Sequence, residues 1–210
     1  MARRSRADMI AQTRAKLIAA GRRAFGEKGY AAASMDDFTA EAGLTRGALY
    51  HHFGDKKGLF EAVVGQIDAE MARRLKSLGA DAPTRWDEFV RETVGYVELA
   101  LDPEIQRILL RDGPAVLGDP SSWPGADGCI VAIRAQLEQL RAEGIIRSDI
   151  DADVAARLIS GASTDAALWI ANAADPSEAS ARTLPAFKAL LEGLLAARAV
   201  AGEPLPAQSG

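Results

Sequence analysis

The stretch GLTRGALYHHFGDKKGLF, residues 43–60, decides how this chain is read. A glycine turn leads into a helix start at Thr45, an aromatic and imidazole cluster at Tyr50-His51-His52-Phe53, and the Lys56-Lys57 pair. Gly43 can take the positive φ of a sharp turn without a Cβ clash. Thr45 is of the residue class that caps a helix by accepting a backbone N–H. Upstream, Ser34-Met35-Asp36-Asp37 has the pattern of a capping box, so the spacing predicts a helix over 35–42 and another over 45–53. Asp55 starts a fourth helix in the same way. Two short helices joined by a glycine turn of this length form a helix-turn-helix.

Working outward, Leu44 and Leu49 face the core between the two helices, which leaves Thr45, Arg46 and Gly47 pointing away from it. The major groove of DNA admits a helix N-terminus presented this way, and arginine can contact guanine with two N–H groups. Gly47 lies in a helix interior, where glycine costs about 1 kcal/mol, which suggests a backbone that approaches something closely. Tyr50, His51 and His52 splay around the exposed side, with hydroxyl and imidazole N–H groups suited to phosphate oxygens. Asp55 opens a helix whose free amides attract an anion, and Lys56 adds a formal charge there.

Charge is distributed to match. The chain of 210 residues carries a net charge of −4, yet residues 1–60 hold eleven Lys/Arg against six Asp/Glu, a net of +5. The remainder is therefore at −9. Such asymmetry points to an anionic partner for the first sixty residues; a merely solvated basic face is the alternative. The basic start, MARRSRADMIAQ, is followed by no apolar run of the signal-peptide kind, and no stretch of about eighteen apolar residues suggests a membrane span. With no targeting segment and a single cysteine, Cys129, the expectation is a cytoplasmic protein without a disulfide or a cysteine-rich metal site. Cys129 reads as a small buried hydrophobe, with redox sensing as the alternative.

The rest of the chain also reads as helical. Ile10, Arg14, Leu17, Ile18, Gly21, Ala24 and Phe25 recur at helical spacing until Gly29 ends the first helix. Leu59, Val63, Ile67, Met71, Leu75 and Leu78 give the fourth helix, 55–78, one apolar face. After GADAP (79–83), Thr84 caps a helix with Trp86, Phe89, Val90, Val94 and Val97. Asp102-Pro103 opens a shorter one, and residues 113–128 read as loop or broken helix. Helices follow over 130–140, ended by Gly144, and over 151–174. A last one runs over 180–199, using Leu184, Phe187, Leu190, Leu191, Leu194 and Leu195. The GEPLPAQSG tail is expected to fray. The fold expected is all-α: an N-terminal three-helix domain, residues 1–60, joined by a long helix to a helical domain, residues 61–210.

The residues from about 14 to 64 resemble the DNA-binding domain of the TetR (tetracycline-repressor) family of bacterial regulators. The resemblance rests on Phe25, Gly29-Tyr30, Ser34, Ala42-Gly43-Leu44-Thr45, Gly47, Leu49-Tyr50, His52-Phe53, Lys56 and Leu59. Two positions depart from the family pattern: Phe38 where Ile or Val is usual, and Thr39 where a small Ala is usual. Both require local repacking between the first helices. The resemblance implies a dimer that releases a palindromic operator in double-stranded DNA when a small-molecule effector enters the C-terminal domain. It implies that Ser34, Tyr50, His52 and Lys56 contact phosphate and that Thr45, Arg46, Gly47 and His51 lie near bases. A repressor is expected, with an activator as the alternative.

In the C-terminal region Trp86, Phe89, Trp123 and Trp169 are candidate lining residues of an apolar effector pocket, the alternative for each being plain core. Asp165 lies near the same helical stripe, where it pairs with an arginine, hydrogen-bonds the effector or faces solvent. Arg111-Asp112-Gly113-Pro114 resembles a segment of many TetR-type C-terminal domains, without a chemistry derivable from it. The last two helices, with Ala162 and Ala166 permitting close approach, are the expected homodimer face. No catalytic residue, cofactor or metal site is expected. Adjacent helical positions such as His51 and His52 diverge by about 100° and cannot readily share one metal, whereas i, i+4 pairs do. The absence of other histidines excludes a Ser-His-Asp triad or Cys-His dyad in the C-terminal half. The competing classes are a helical enzyme relying on carboxylates alone and a helical scaffold that does not touch DNA.

Overall fold

The computed structural model describes residues 5–123 and 125–197. The GEPLPAQSG tail lies outside the described residues. Contacts divide the chain into two compact units, one running to Glu70 and including Asp102–Pro124, the other made of Met71–Leu101 and the chain from Gly125 onward. The described residues are almost entirely helical and contain no strand.

In the first unit α1 spans Arg6–Ala32. It starts at a capping box in which Ser5 Oγ accepts the Asp8 amide (3.1 Å) and Asp8 accepts the Ser5 amide (3.0 Å). The helix breaks at Gly29, whose φ of 77° and ψ of 167° place it in a region open essentially to glycine alone. α2 covers Met35–Ala42, α3 Arg46–Phe53 and α4 Lys56–Gly79. Ser34 caps α2 with Asp37 as its capping-box partner, and Thr45 caps α3 by accepting the Ala48 amide at 3.2 Å. Between them Gly43 is left-handed (φ 64°), as the turn requires. At the next corner Asp55 Oδ1 accepts the Gly58 amide at 2.7 Å. A Cβ at Gly58 would lie 2.1 Å from the Phe53 carbonyl oxygen, so only glycine lets α3 and α4 meet this closely.

The core of this unit is aromatic. Phe25, Phe38 and Phe60 are fully buried, and the Phe25 ring lies 5.0 Å from Phe38 and 5.1 Å from Phe60. Phe38 is therefore a core residue. Thr39 is buried too, and its hydroxyl donates to the Met35 carbonyl at 3.1 Å, so the polar atom that departs from the family pattern is satisfied within its own helix.

Asp102 caps a short helix over Pro103–Ile105, and residues Gln106–Asp112 after it pack on α1. α5 spans Arg85–Glu98 in the second unit, and α6 (Pro103–Ile105) and α7 (Gly113–Leu117) return to the first. Between α6 and α7, residues Gln106–Asp112 are wound as a π-helix, which helical periodicity does not reveal. Arg22 of α1 donates from Nε to Glu104 and from Nη1 to Glu70, both at 2.7 Å. Arg107 donates to the Lys28 carbonyl at 3.0 Å, and the Tyr30 amide donates to Asp112 at 2.7 Å. Both contacts flank the break at Gly29.

In the second unit Thr84 caps α5. α8 covers Ala126–Ala142 and stops before Gly144 (φ 72°). α9 covers Ala152–Asn172, capped by Asp151, and α10 covers Pro176–Glu192, capped by Asp175. α9 packs against α5, α8 and α10. The last helix is shorter at its C-terminus than the apolar spacing implied. After the cap at Gly193 the chain turns, and Leu195 forms an antiparallel bridge with Ile146. The Arg147 amide reaches the Leu194 carbonyl and the Ala196 amide reaches the Ile145 carbonyl, each at 3.0 Å. Leu194 and Leu195 thus close a backbone pairing where further helical turns were expected.

Candidate nucleic-acid interface

The first unit brings the N-terminal half of α3 and the N-terminal end of α2 to its surface. Ser34, Thr45, Arg46, Gly47, Tyr50 and His51 are exposed, whereas His52 and Lys56 are half-buried. Tyr50, at 55% exposure, is one of the most exposed large side chains of this unit. The cap hydroxyls of Ser34 and Thr45 accept amide hydrogens at 3.2 Å each. Accepting leaves each hydroxyl hydrogen free to be donated to a phosphate oxygen.

Gly47 has no structural reason to be glycine. Its φ is not positive, and a Cβ there would meet nothing nearer than Thr45 Oγ1 at 3.8 Å. The rings of His51 and His52 stand 5.4 Å apart in an edge-on arrangement. Lys56 is less free than its position at the start of α4 suggested: its ammonium lies 4.4 Å from the centre of the Tyr30 ring and reaches the Ala31 carbonyl at 3.4 Å. Lys57, its neighbour in the pair, is exposed and is the freer cation of the two.

Acidic residues of α2 hold several of the unit's cations. Lys28 meets Asp37 at 3.1 Å, Arg23 pairs with Glu41, and Arg46 pairs with Asp36. The Arg46 hydrogen bond is the main cause that holds the Asp36 carboxyl below its ordinary range, and the same bond holds the Arg46 guanidinium above its own. The pairing of Arg46 was not visible in the sequence, because ten positions separate the partners across the turn at Gly43.

The candidate effector residues are not gathered in the same way. Trp86 and Phe89 meet on α5 with ring centres 5.6 Å apart, Phe89 fully buried and Trp86 half-buried. Trp123 belongs to the other unit, where its ring covers Gly113, and its indole N–H donates to the Gly118 carbonyl at 3.2 Å. Asp165 is exposed, which leaves its solvent-facing alternative standing, and Trp169 is 60% exposed on α9. Cys129 is exposed as well, not the buried hydrophobe expected. A cavity of about 290 Å³ opens in the second unit among Lys76, Arg85, Glu88, Ala132, Ala135, Gln136, Gln139 and Leu140, and none of the five candidates lines it.

Among the described residues no helix is long and apolar enough to cross a membrane. Residues 17–63 match the family described as bacterial regulatory proteins of the tetR family, and residues 86–194 match the tetracyclin repressor-like C-terminal domain. A solved TetR-family transcriptional regulator from Pectobacterium atrosepticum is 47% identical, with a TM-score of 0.83 over 91% of this chain and 98% of its own. The HTH-type transcriptional repressor AcnR of Corynebacterium efficiens is 28% identical over 178 residues, 75% of this chain and 88% of AcnR. The fold is shared further by RolR, solved in complex with resorcinol, at 21% identity and a TM-score of 0.64 over 97% of this chain and all of RolR. With both of its halves matched, one of them over more than half of the sequence, the chain belongs to the TetR family of bacterial transcriptional regulators.

Proposed function

We propose that the chain is a ligand-responsive repressor that binds a palindromic operator as a homodimer and leaves it when a small molecule binds. Residues 1–60 form the DNA-binding domain in this reading, and residues 61–210 form the effector-binding and dimerisation domain. The observation that carries it is the exposed start of α3, where Thr45, Arg46 and the unobstructed backbone of Gly47 come together. A helix N-terminus of this kind enters the major groove, and flanking hydroxyls, imidazoles and lysines hold phosphates. Ser34, Tyr50, His52 and Lys56 take the phosphate role, and Arg46 and His51 lie over base edges. The protein acts in the cytoplasm, on DNA, with no catalytic step of its own.

The dimer rests on a second observation. Val154 (53%), Leu158 (69%) and Trp169 (60%) of α9 and Leu190 (70%) of α10 are large apolar side chains left open to solvent. Such a patch on two neighbouring helices fits a second copy of the chain. Trp169 and Asp165 then belong to the dimer face, and the effector site is left to the Trp86–Phe89 corner and the cavity beside α5. RolR, which shares the fold, binds resorcinol, a small phenol, in its solved complex, and an aromatic corner suits a ligand of that size.

The test is a mobility-shift titration on the DNA upstream of the protein's own gene, repeated across salt concentrations. Each phosphate neutralised contributes about −0.9 to the slope of log affinity against log salt. A salt-insensitive affinity, or full binding by a chain lacking residues 1–60, contradicts the reading. Within this titration Lys56→Ala is expected to weaken operator and random duplex alike.

A further inference from the structure

Two acidic residues open α2, and only one of them completes its cap. Asp37 completes the Ser34 capping box and meets Lys28 at 3.1 Å. Asp36 takes no part in that cap. Its carboxylate meets Arg46, the first residue of α3, with Arg46 Nε donating to Oδ1 and Nη2 donating to Oδ2. Both side chains stay open to solvent, at 62% and 64% exposure. A carboxylate on a surface meant for a polyanion opposes association, so its presence there calls for a local role.

The geometry of the guanidinium supplies one. Its five N–H groups lie in one plane, arranged along two forked edges. Asp36 occupies the side edge, made by Nε and one hydrogen of Nη2. The terminal edge, made by Nη1 and the other hydrogen of Nη2, is left for a partner. Guanine presents N7 and O6 as adjacent acceptors in the major groove, and arginine meets them through two N–H groups.

We infer that Asp36 is a positioning residue for base readout, holding Arg46 by its side edge so that the terminal edge addresses a guanine. This rests on the reading of α3 as the helix that enters the major groove. Asp36 acts in two ways. It fixes a long, flexible side chain before DNA arrives, which lowers the ordering cost of the base contact. It also repels a phosphate that would otherwise compete for the same guanidinium, which disfavours the wrong register.

The experiment uses the full-length protein and duplexes selected by it from a random pool, each tested against its single-base variants and against random duplex. The wild-type chain is expected to prefer guanine at one position of each half-site by roughly 10- to 100-fold. Arg46→Ala abolishes that preference. Asp36→Ala lowers it at the same position by about fivefold or more, with binding to random duplex unchanged or tighter and preferences elsewhere kept. The double variant is no worse than Arg46→Ala, since the acid acts only through the arginine. Asp36→Asn keeps the shape of α2 and loses the charge, so it falls between wild type and Asp36→Ala. If Asp36→Ala keeps the full guanine preference while Arg46→Ala loses it, the positioning role is overturned and base reading by α3 stands. If Asp36→Ala shifts all duplexes alike, Asp36 is only an electrostatic brake and the inference fails. If Arg46→Ala leaves the guanine preference intact, the reading of α3 fails first and the inference falls with it.

Discussion

The Arg107 guanidinium fills the space where a side chain at Gly29 would begin: a Cβ there would lie 1.9 Å from Nη2. The same Nη2 donates to the Lys28 carbonyl, so the glycine, the break in α1 and the arginine are one arrangement. Gly29→Ala would strain a backbone conformation that only glycine enters freely and displace the guanidinium from its acceptor. The expected loss of stability is about 2–4 kcal/mol, combining backbone strain with a lost hydrogen bond. Denaturant unfolding of the two proteins measures it, and an unchanged midpoint would contradict the arrangement.

Gly47 should behave in the opposite sense. It lies inside α3 with helical backbone and open space where a Cβ would go. Gly47→Ala is therefore expected to stabilise the free protein by about 0.5–1 kcal/mol. If the backbone at this point approaches DNA, the same change weakens operator binding. Paired thermal melts and mobility shifts read the two effects, and tighter operator binding by the more stable variant would contradict a close approach.

Asp68, half-buried on α4, gives a pH dependence. Burial pushes its carboxyl up to about 6 from the ordinary 3.8. The folded state therefore holds this proton more tightly than the unfolded chain does. The stability it contributes is fully present below about pH 4 and is lost as pH rises through about 6. Asp68→Asn removes the titration, so the variant should be more stable than the wild type by about 1–3 kcal/mol near pH 7.5. Near pH 4 the two should be equal. Melting curves at the two pH values decide it, and an equal difference at both would remove Asp68 as the cause.

The apolar face of α9 and α10 makes an assembly prediction. Leu158→Glu together with Leu190→Glu places two charges among side chains that are open in a single chain. Sedimentation should show the wild type as a dimer at micromolar concentration and the double variant as a monomer that stays helical by circular dichroism. Affinity for a full palindrome should then fall toward that for a half-site. A wild-type chain that sediments as a monomer would end the dimer reading.

Much of the first unit could be read from its punctuation. Ser34, Gly43, Thr45 and Asp55 each carry one backbone role that few residue types fill, and each plays it in the structure. The same holds for Thr84 and Asp102 at later helix starts. Asp151 and Asp175 also cap their helices, but the apolar spacing does not single them out, and the last helix begins at Pro176 where its leucines suggest 180. The C-terminal unit was harder because α9 is apolar on two sides. Ala155, Ala156, Ile159, Ala166, Ala167 and Ile170 are buried, while Val154, Leu158 and Trp169 face outward. Periodicity finds apolar positions but does not say which stripe meets the chain's own core. By spacing alone Trp169 reads equally as a pocket-lining, core or outward-facing residue. The π-helix at Gln106–Asp112 and the Arg46–Asp36 pair were hidden for a related one: each depends on which distant partner is present, and local spacing is silent on that.

The glycine at position 58 has a mechanical meaning. With the Phe53 carbonyl oxygen where its side chain would be, the corner between α3 and α4 is closed as far as backbone atoms permit. The first turn of α4 and the end of α3 are thus in direct backbone apposition, so a shift of one at this elbow bears on the other and on the helix that carries Arg46 and Tyr50. A bulkier residue at 58 would wedge the elbow open, and its first symptom would be a change in where the reading side chains point.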